Sequence, residues 1–361
     1  MKNKQPNYYN IINIIWSFLL VIAIAFTLTT GKDELNHLYD LQLEASNKTL
    51  QAFNLIKERK EELSIDNIIE FPEEDLYHSG LLGPKRSKIR TTEGEPQAKR
   101  TSTNPNFAAV YIEMFKEAGL KNGDEIAICT SSSFPALNIA AIIASDVYGL
   151  KYITMNSIGA SSFGATDPSF TFFDMYEYLY EKHIFKNQLD YISFGGDKDT
   201  GYEFNEEIYQ EIKSRIDKSN VNFIDEEDFE KNIKLRLKLI YDKCPNVKLF
   251  LNVGGSLVAM GNGYTKAVSY RGLVKPPSYL KVSFSNTKED KKGLLELFLE
   301  RGIPIIQMLN ITKLSYEYGL PIDPIGIPSV GNGDVYYETK YNDLIDGNYS
   351  ETRCGQPRLQ G

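Results

Sequence analysis

Cysteine, histidine and tryptophan are scarce in this chain, and their scarcity removes several chemistries at once. Cys129, Cys244 and Cys354 are odd in number and widely spaced, with no CxxC pair and no Cys/His ligand pattern. That argues against a disulfide framework and against a structural zinc site. No GxGxxG or Walker A pattern follows a predicted strand, so neither a dinucleotide nor a P-loop nucleotide is expected, and no cofactor is implied. A GxSxG elbow is missing too: in Gly159-Ala160-Ser161-Ser162-Phe163-Gly164 the glycines stand one residue too far apart. A basic surplus is also lacking. The 40 Lys and Arg are outnumbered by 48 Asp and Glu, for a net charge of -8, which argues against a nucleic-acid partner because a phosphate backbone demands a basic surface. Internal repeats and low-complexity tracts are absent.

What is present begins with Ile11–Thr30, a run whose only polar members are Asn13, Ser17 and the threonines near its end. As a helix it is long enough to span a bilayer. Lys2 and Lys4 precede it, so the positive-inside rule places the amino terminus in the cytoplasm and the bulk of the chain outside, with Tyr8 and Tyr9 at the interface. The expectation is a single-pass cell-membrane protein with an uncleaved signal anchor, since no small-x-small cleavage site follows. Asp33 to Leu63 is rich in helix formers, with apolar residues at Leu35, Tyr39, Leu43, Leu50 and Phe53. It predicts a stalk helix whose stripe packs either on the protein's own domain or on a partner's helix; Ser46 and Lys57 interrupt the seam and favour the former.

With 42% hydrophobic residues, the remainder can bury one large core or two modest ones. Helical periods over 107–120, 135–148, 172–182, 206–218, 228–243 and 291–300 alternate with short apolar runs at 125–129, 152–156, 191–194, 222–224, 248–253 and 304–308. The alternation predicts an α/β fold, a mainly parallel Rossmann-like sheet with flanking helices, preceded by a transmembrane helix and the stalk. The domains expected are 1–32 (cytoplasmic tip and anchor), 33–63 (stalk), 64–341 (extracytoplasmic α/β domain, with an insertion near 256–285) and 342–361 (tail). Residues 72–106, with several Pro and Gly and few apolar periods, suggest a loop approaching the cleft.

The most informative stretch is 98–167. Ala98-Lys99-Arg100-Thr101-Ser102-Thr103-Asn104 leads into a helix; the strand ending at Cys129 is followed by Thr130, Ser131, Ser132 and Ser133, then by Pro135 in the first turn of the next helix. A second strand ends in Ser157-Ile158-Gly159-Ala160-Ser161-Ser162. Both loops leave the carboxyl ends of predicted parallel strands, where open α/β sheets place their ligands.

The phrases His78–Gly83, Ala98–Ala108, Ser132–Leu137, Ser157–Gly164, Gly195–Asp199, Asn252–Gly255 and Arg301–Asn310, in this order, resemble the poly-gamma-glutamate system proteins. These are found in bacteria beside the enzymes that make and export poly-gamma-glutamate. The resemblance runs from the apolar segment to about Tyr341. It implies as partners the membrane, the synthase and export proteins of that system, and an acidic polymer; it assigns no catalytic residue.

Read as chemistry, the candidate ligand-binding residues are Lys99, Arg100, Thr101, Ser102, Asn104, Ser131, Ser132, Ser133, Ser161, Ser162, Gly195, Gly196, Asp197, Asn252, Gly254 and Gly255, with Lys99 and Arg100 available to pair with carboxylates. The serines could equally cap a helix. A catalytic reading would pair Ser131, Ser132 or Ser133 with Lys99, or with His78, the one histidine of a loop near the cleft. Asp197 and Asp199 are weak candidates for a divalent cation. Three functions follow: an accessory protein binding a gamma-glutamyl chain, a serine-type hydrolase or transferase of that chain, or a structural subunit of the synthase.

Overall fold

The computed structural model describes residues 12–22, 32–65, 75, 79–261, 269–276 and 292–340. Residues 12–22 form helix α1, with Ile14, Trp16 and Phe18 about two-thirds exposed (67%, 69% and 66%). The expected membrane span falls only partly within the described residues, and among those no helix is long and apolar enough to cross a bilayer.

Seven strands make the main sheet. In chain order they are β3 (Glu125–Ser131), β4 (Lys151–Ser157), β6 (Tyr191–Ser193), β7 (Asn222–Phe223), β8 (Val247–Val253), β9 (Gly272–Val274) and β10 (Ile305–Met308). Their spatial order is β7-β6-β4-β3-β8-β10-β9, and every pairing is parallel except β9 against β10. The α/β alternation is thus as the sequence predicts, since parallel neighbours need helical crossovers. The period of two divides the core cleanly. Ile126 and Ile128 of β3 enter one apolar cluster, whereas Ala127 and Cys129 enter the other. The first cluster lies with α4 (Phe107–Glu117), α5 (Pro135–Tyr148) and α6 (Phe172–Glu181); the second lies with α8 (Phe229–Lys243) and α10 (Leu294–Glu300). Cys129 is core, and burial pushes its thiol up to about 12, so it is no nucleophile.

From β3 the chain runs outward through β4, β6 and β7, then returns to β8 on the other side and continues to β10. The carboxyl ends of β3 and β8 therefore flank a topological switch point, the crevice where such sheets take ligands.

Two expectations are corrected. The segment after the apolar run is not a stalk. Lys32–Leu35 is a strand, β1, paired antiparallel with β11 (Tyr337–Lys340), and the long helix α2 (Tyr39–Glu62) packs on α4 and α5. Its Ala45, Ala52, Phe53 and Ile56 are buried in the main core, and burying Phe53 and Ile56 alone is worth roughly 1.5–3 kcal/mol each. Ser46, which breaks the apolar seam, accepts the Tyr336 hydroxyl at 2.8 Å, so the seam fits this domain. The presumed loop before residue 106 carries structure: β2 (Arg90–Thr92) pairs with β5 (Ala160–Ser161), and α3 (Pro96–Ser102) is a short helix. The presumed insertion contributes helix α9 (Leu257–Met260) and edge strand β9; 262–268, 277–291 and the 342–361 tail lie outside the described residues.

Candidate active site

The site forms where the β3–α5 turn meets the loop after β4. Pro135 takes the first position of α5, Phe134 is the N-cap, and no side chain caps the helix. The three serines are engaged elsewhere. Ser131 Oγ donates to the Val253 carbonyl at 3.4 Å, and Ser132 Oγ to the Ser157 carbonyl at 2.7 Å, while Ser133 Oγ accepts the Ser161 N–H at 3.0 Å. The capping role expected of them is not observed. The free N–H groups of Ala136 and Leu137 find no acceptor among the described residues, leaving the amino end of α5 a place for negative charge.

Lys99 reaches this point from α3 and is 1% exposed. Its Nζ donates to Ser161 Oγ at 2.8 Å and to the Ser133 carbonyl, and lies 4.0 Å from the Phe134 ring centroid. No carboxylate pairs with it among the described residues, and burial lowers its pKa from 10.5 to about 7. Gly94 makes room for the lysine: a Cβ there would stand 3.1 Å from Lys99 Cε and 2.3 Å from the Ser162 carbonyl.

Ser161 opens a tight turn closed by the Gly164 N–H on its carbonyl at 2.9 Å, with Phe163 at φ +62°. A bulky residue in the left-handed region is uncommon and costs of order 1–3 kcal/mol, and such strain gathers where geometry matters for function. A hydroxyl held against a desolvated amine has the makings of an activated nucleophile.

The remaining candidates sort into neighbours and scaffold. Ser162 Oγ donates to Glu93 at 3.3 Å. Arg100 is turned away and bound in a fork by Asp323 at 2.5 and 2.8 Å, so it does not join Lys99 in the site. Thr101 Oγ1 accepts the Asp323 N–H at 3.0 Å, Ser102 Oγ bonds back to the Lys99 carbonyl at 2.6 Å, and Asn104 folds onto Asn106. Asn252 and Gln307 both donate to the Gly254 carbonyl, at 2.8 and 3.0 Å, and fix the turn after β8. Gly254 sits at φ +91°, and a Cβ there would come 2.2 Å from Ser131 Oγ, whereas Gly255 faces open space. Gly254→Ala is therefore expected to cost about 1–3 kcal/mol, read as a lower midpoint in thermal denaturation. An unchanged midpoint would show that the turn after β8 relaxes freely.

The turn after β6 carries the two aspartates. Gly195 and Gly196 lead into Asp197, which is exposed, and Asp199, which is buried against Arg236 at 2.6 Å and accepts Ser193 Oγ at 2.8 Å. With one carboxylate committed to a guanidinium, the pair does not form a cation site, and no metal-binding cluster occurs among the described residues. His78 lies outside the described residues. His37 pairs with Glu338 and His183 follows α6, neither beside the serines. The sequence offered Ser131, Ser132 and Ser133 as hydroxyl partners of Lys99 and Ser161 as a separate binding candidate; in the structure Lys99 Nζ meets the Ser161 hydroxyl and, of the other three, only the Ser133 carbonyl. Asp323 and Arg236 were missed, because nothing local marks a charge whose partner lies 223 or 37 residues away.

No protein-family model, curated protein or solved structure matches this chain.

Proposed function

We propose that this chain is a membrane-anchored acyl-transfer enzyme of the poly-gamma-glutamate system, cutting or re-attaching gamma-glutamyl chains with Ser161 as nucleophile and Lys99 as base. The observation that carries the proposal is the 2.8 Å contact between the Ser161 hydroxyl and a buried amine that has no carboxylate partner among the described residues. Neutral Lys99 takes the hydroxyl proton as Ser161 Oγ bonds to the amide carbon of the chain. The oxygen that gains charge would be met by the uncapped N–H groups of α5. The same proton then passes from Lys99 to the departing amine as the C–N bond breaks. Water or a second amine, deprotonated by Lys99, then attacks the acyl carbon, and the proton held by Lys99 returns to Ser161 Oγ as the ester C–O bond breaks. Incubation of the protein with poly-gamma-glutamate should shorten the polymer, followed by gel filtration; a chain length that does not change with time would overturn the proposal.

A second reading, an accessory protein that binds carboxylates, is favoured by the same uncapped helix end beside Lys99. The two separate on covalent trapping, because only an acylated Ser161 gives a mass increase on the loop peptide. The placement outside the membrane is part of the proposal and rests on Lys2 and Lys4 before the apolar run. Protease added to intact cells, with any outer membrane permeabilised, should digest the chain beyond Lys32. Digestion only in inverted vesicles would reverse the topology.

A further inference from the structure

Phe134 stands at the N-cap of α5, where a Ser, Thr, Asp or Asn would satisfy a free helix N–H, and it caps nothing. Pro135 follows it, and the residue before a proline is held out of the helical region, here at φ -136° and ψ 71°. An aromatic ring therefore occupies the place of a capping side chain. What lies over that ring is the amine of Lys99, with Nζ 4.0 Å from its centroid.

The valences of this nitrogen define what the ring does. A lysine ammonium has three N–H groups and no acceptor. Two oxygens accept from Lys99 Nζ, the Ser133 carbonyl and Ser161 Oγ at 2.8 Å, and the Phe134 face fills the remaining side. A neutral amine keeps two N–H groups and a lone pair. With one N–H on the Ser133 carbonyl and the other over the ring, the lone pair is left for the Ser161 hydroxyl, the orientation a base requires. As Ser161 Oγ bonds to the acyl carbon, its proton moves to that lone pair, and the new positive charge lies against the negative face of the ring. A carboxylate in the same place would hold the proton too firmly for its later release to the leaving amine, whereas a ring attracts it weakly.

We propose that Phe134 is a positioning residue for Lys99: its face turns the lone pair of the amine toward Ser161 and steadies the ammonium formed when the proton is transferred. The catalytic half rests on the reading of Ser161 as nucleophile; the contact between ring and charge does not. Other charges around Lys99 are engaged or exposed. On its own helix Arg100 is forked by Asp323 and Glu95 is exposed, and beside it Glu93 pairs with Arg90 at 2.5 Å. On α11 (Ile311–Glu317), which packs on α3, Lys313 is exposed and Glu317 is held by Arg271. Ser133, Phe134 and the 161–164 turn carry no charge, so burial alone sets the Lys99 pKa and the ring is its remaining electrostatic neighbour.

The test uses the full chain in uncharged detergent, as wild type, as two ring-free variants, Phe134→Leu and Phe134→Met, and as Phe134→Tyr, which keeps the ring face. Without the ring the folded ammonium loses a partner, and the folded pKa of Lys99 falls further below that of the unfolded chain by about one unit. The acid limb of kcat/KM for polymer shortening should then move down by about one pH unit in both ring-free variants, with plateau kcat about tenfold lower and KM within about twofold. Phe134→Tyr should keep the wild-type limb. Lost packing destabilises the ring-free variants at every pH. The lost contact with the charge adds to this only where Lys99 is protonated in the fold, so urea denaturation should show a deficit in the folding equilibrium constant about tenfold larger at about pH 5.5 than at about pH 9. In a Lys99→Met background the deficit should be the same at both. A limb that stays in place, or a deficit independent of pH while Lys99 is present, overturns the proposal. A pH-dependent deficit in a protein whose wild type shortens no polymer would leave the contact between ring and charge standing and remove the nucleophile.

Discussion

Ser161→Ala is expected to abolish polymer shortening, with a loss of at least about 10³-fold in kcat, while leaving polymer affinity within about twofold of wild type. The magnitude follows from removing a nucleophile whose covalent intermediate splits one hard step into two. Ser131→Ala, Ser132→Ala and Ser133→Ala are expected to differ in kind. Their hydroxyls serve the strand ends and the Ser161 N–H, so their loss should cost about 0.5–2 kcal/mol of stability and reduce activity only modestly. Because Lys99 must be neutral to accept the proton, wild-type kcat/KM should rise with pH and level off above its folded pKa of about 7. A Ser161→Ala protein that still shortens the polymer at the wild-type rate would remove Ser161 from the chemistry. A fall in rate across pH 6–8 would remove Lys99 as the base.

The second large effect is on stability, and its sign depends on pH. Lys99 has a folded pKa of about 7 against 10.5 for a free lysine, so between these values the unfolded chain binds more protons than the folded one. Stability therefore rises with pH across that window, and below about pH 7 the full cost of burying the amine is present, about 3–5 kcal/mol. Lys99→Met removes that cost but leaves the Ser133 carbonyl without its donor, a loss of about 1–3 kcal/mol. The variant should be inactive, yet more stable than wild type by about 2 kcal/mol at pH 6.5, and less stable near pH 10. Urea denaturation of both proteins across this range measures the crossing. Parallel curves would mean that Lys99 is solvated, and the desolvated base would go with it. A residue that destabilises the fold in its ordinary charge state is characteristic of a site kept for function.

The strands and helices around the cleft were legible because their signals are local. The run Glu125–Cys129, the proline at 135 and the apolar helix to Tyr148 each carry their own period or punctuation, and the β3, α5 and β4 boundaries fall within a residue or two of those expected. Helix α3 was not legible. Its Gln97, Lys99, Arg100, Thr101 and Ser102 have no apolar stripe, and a polar run beside a proline resembles a loop. The β1–β11 and β2–β5 pairs were invisible for another reason: each joins segments about 70 or 300 residues apart, and no short strand declares its partner.

Lys99 and Arg100 show where sequence stops and packing begins. In sequence they are equivalent neighbours, two cations offered to a carboxylate. On a helix they are rotated about 100° from each other, so one is buried against Ser161 and the Phe134 ring and the other meets Asp323. The alternating pattern by itself determined a mainly parallel sheet with flanking helices, since this follows from periods a few residues long. Which hydroxyl meets the lysine, whether that lysine is charged, and which carboxylate is already taken were decided only by tertiary structure. Burial and distance fix those properties, and both are set by segments 34 to 223 residues apart.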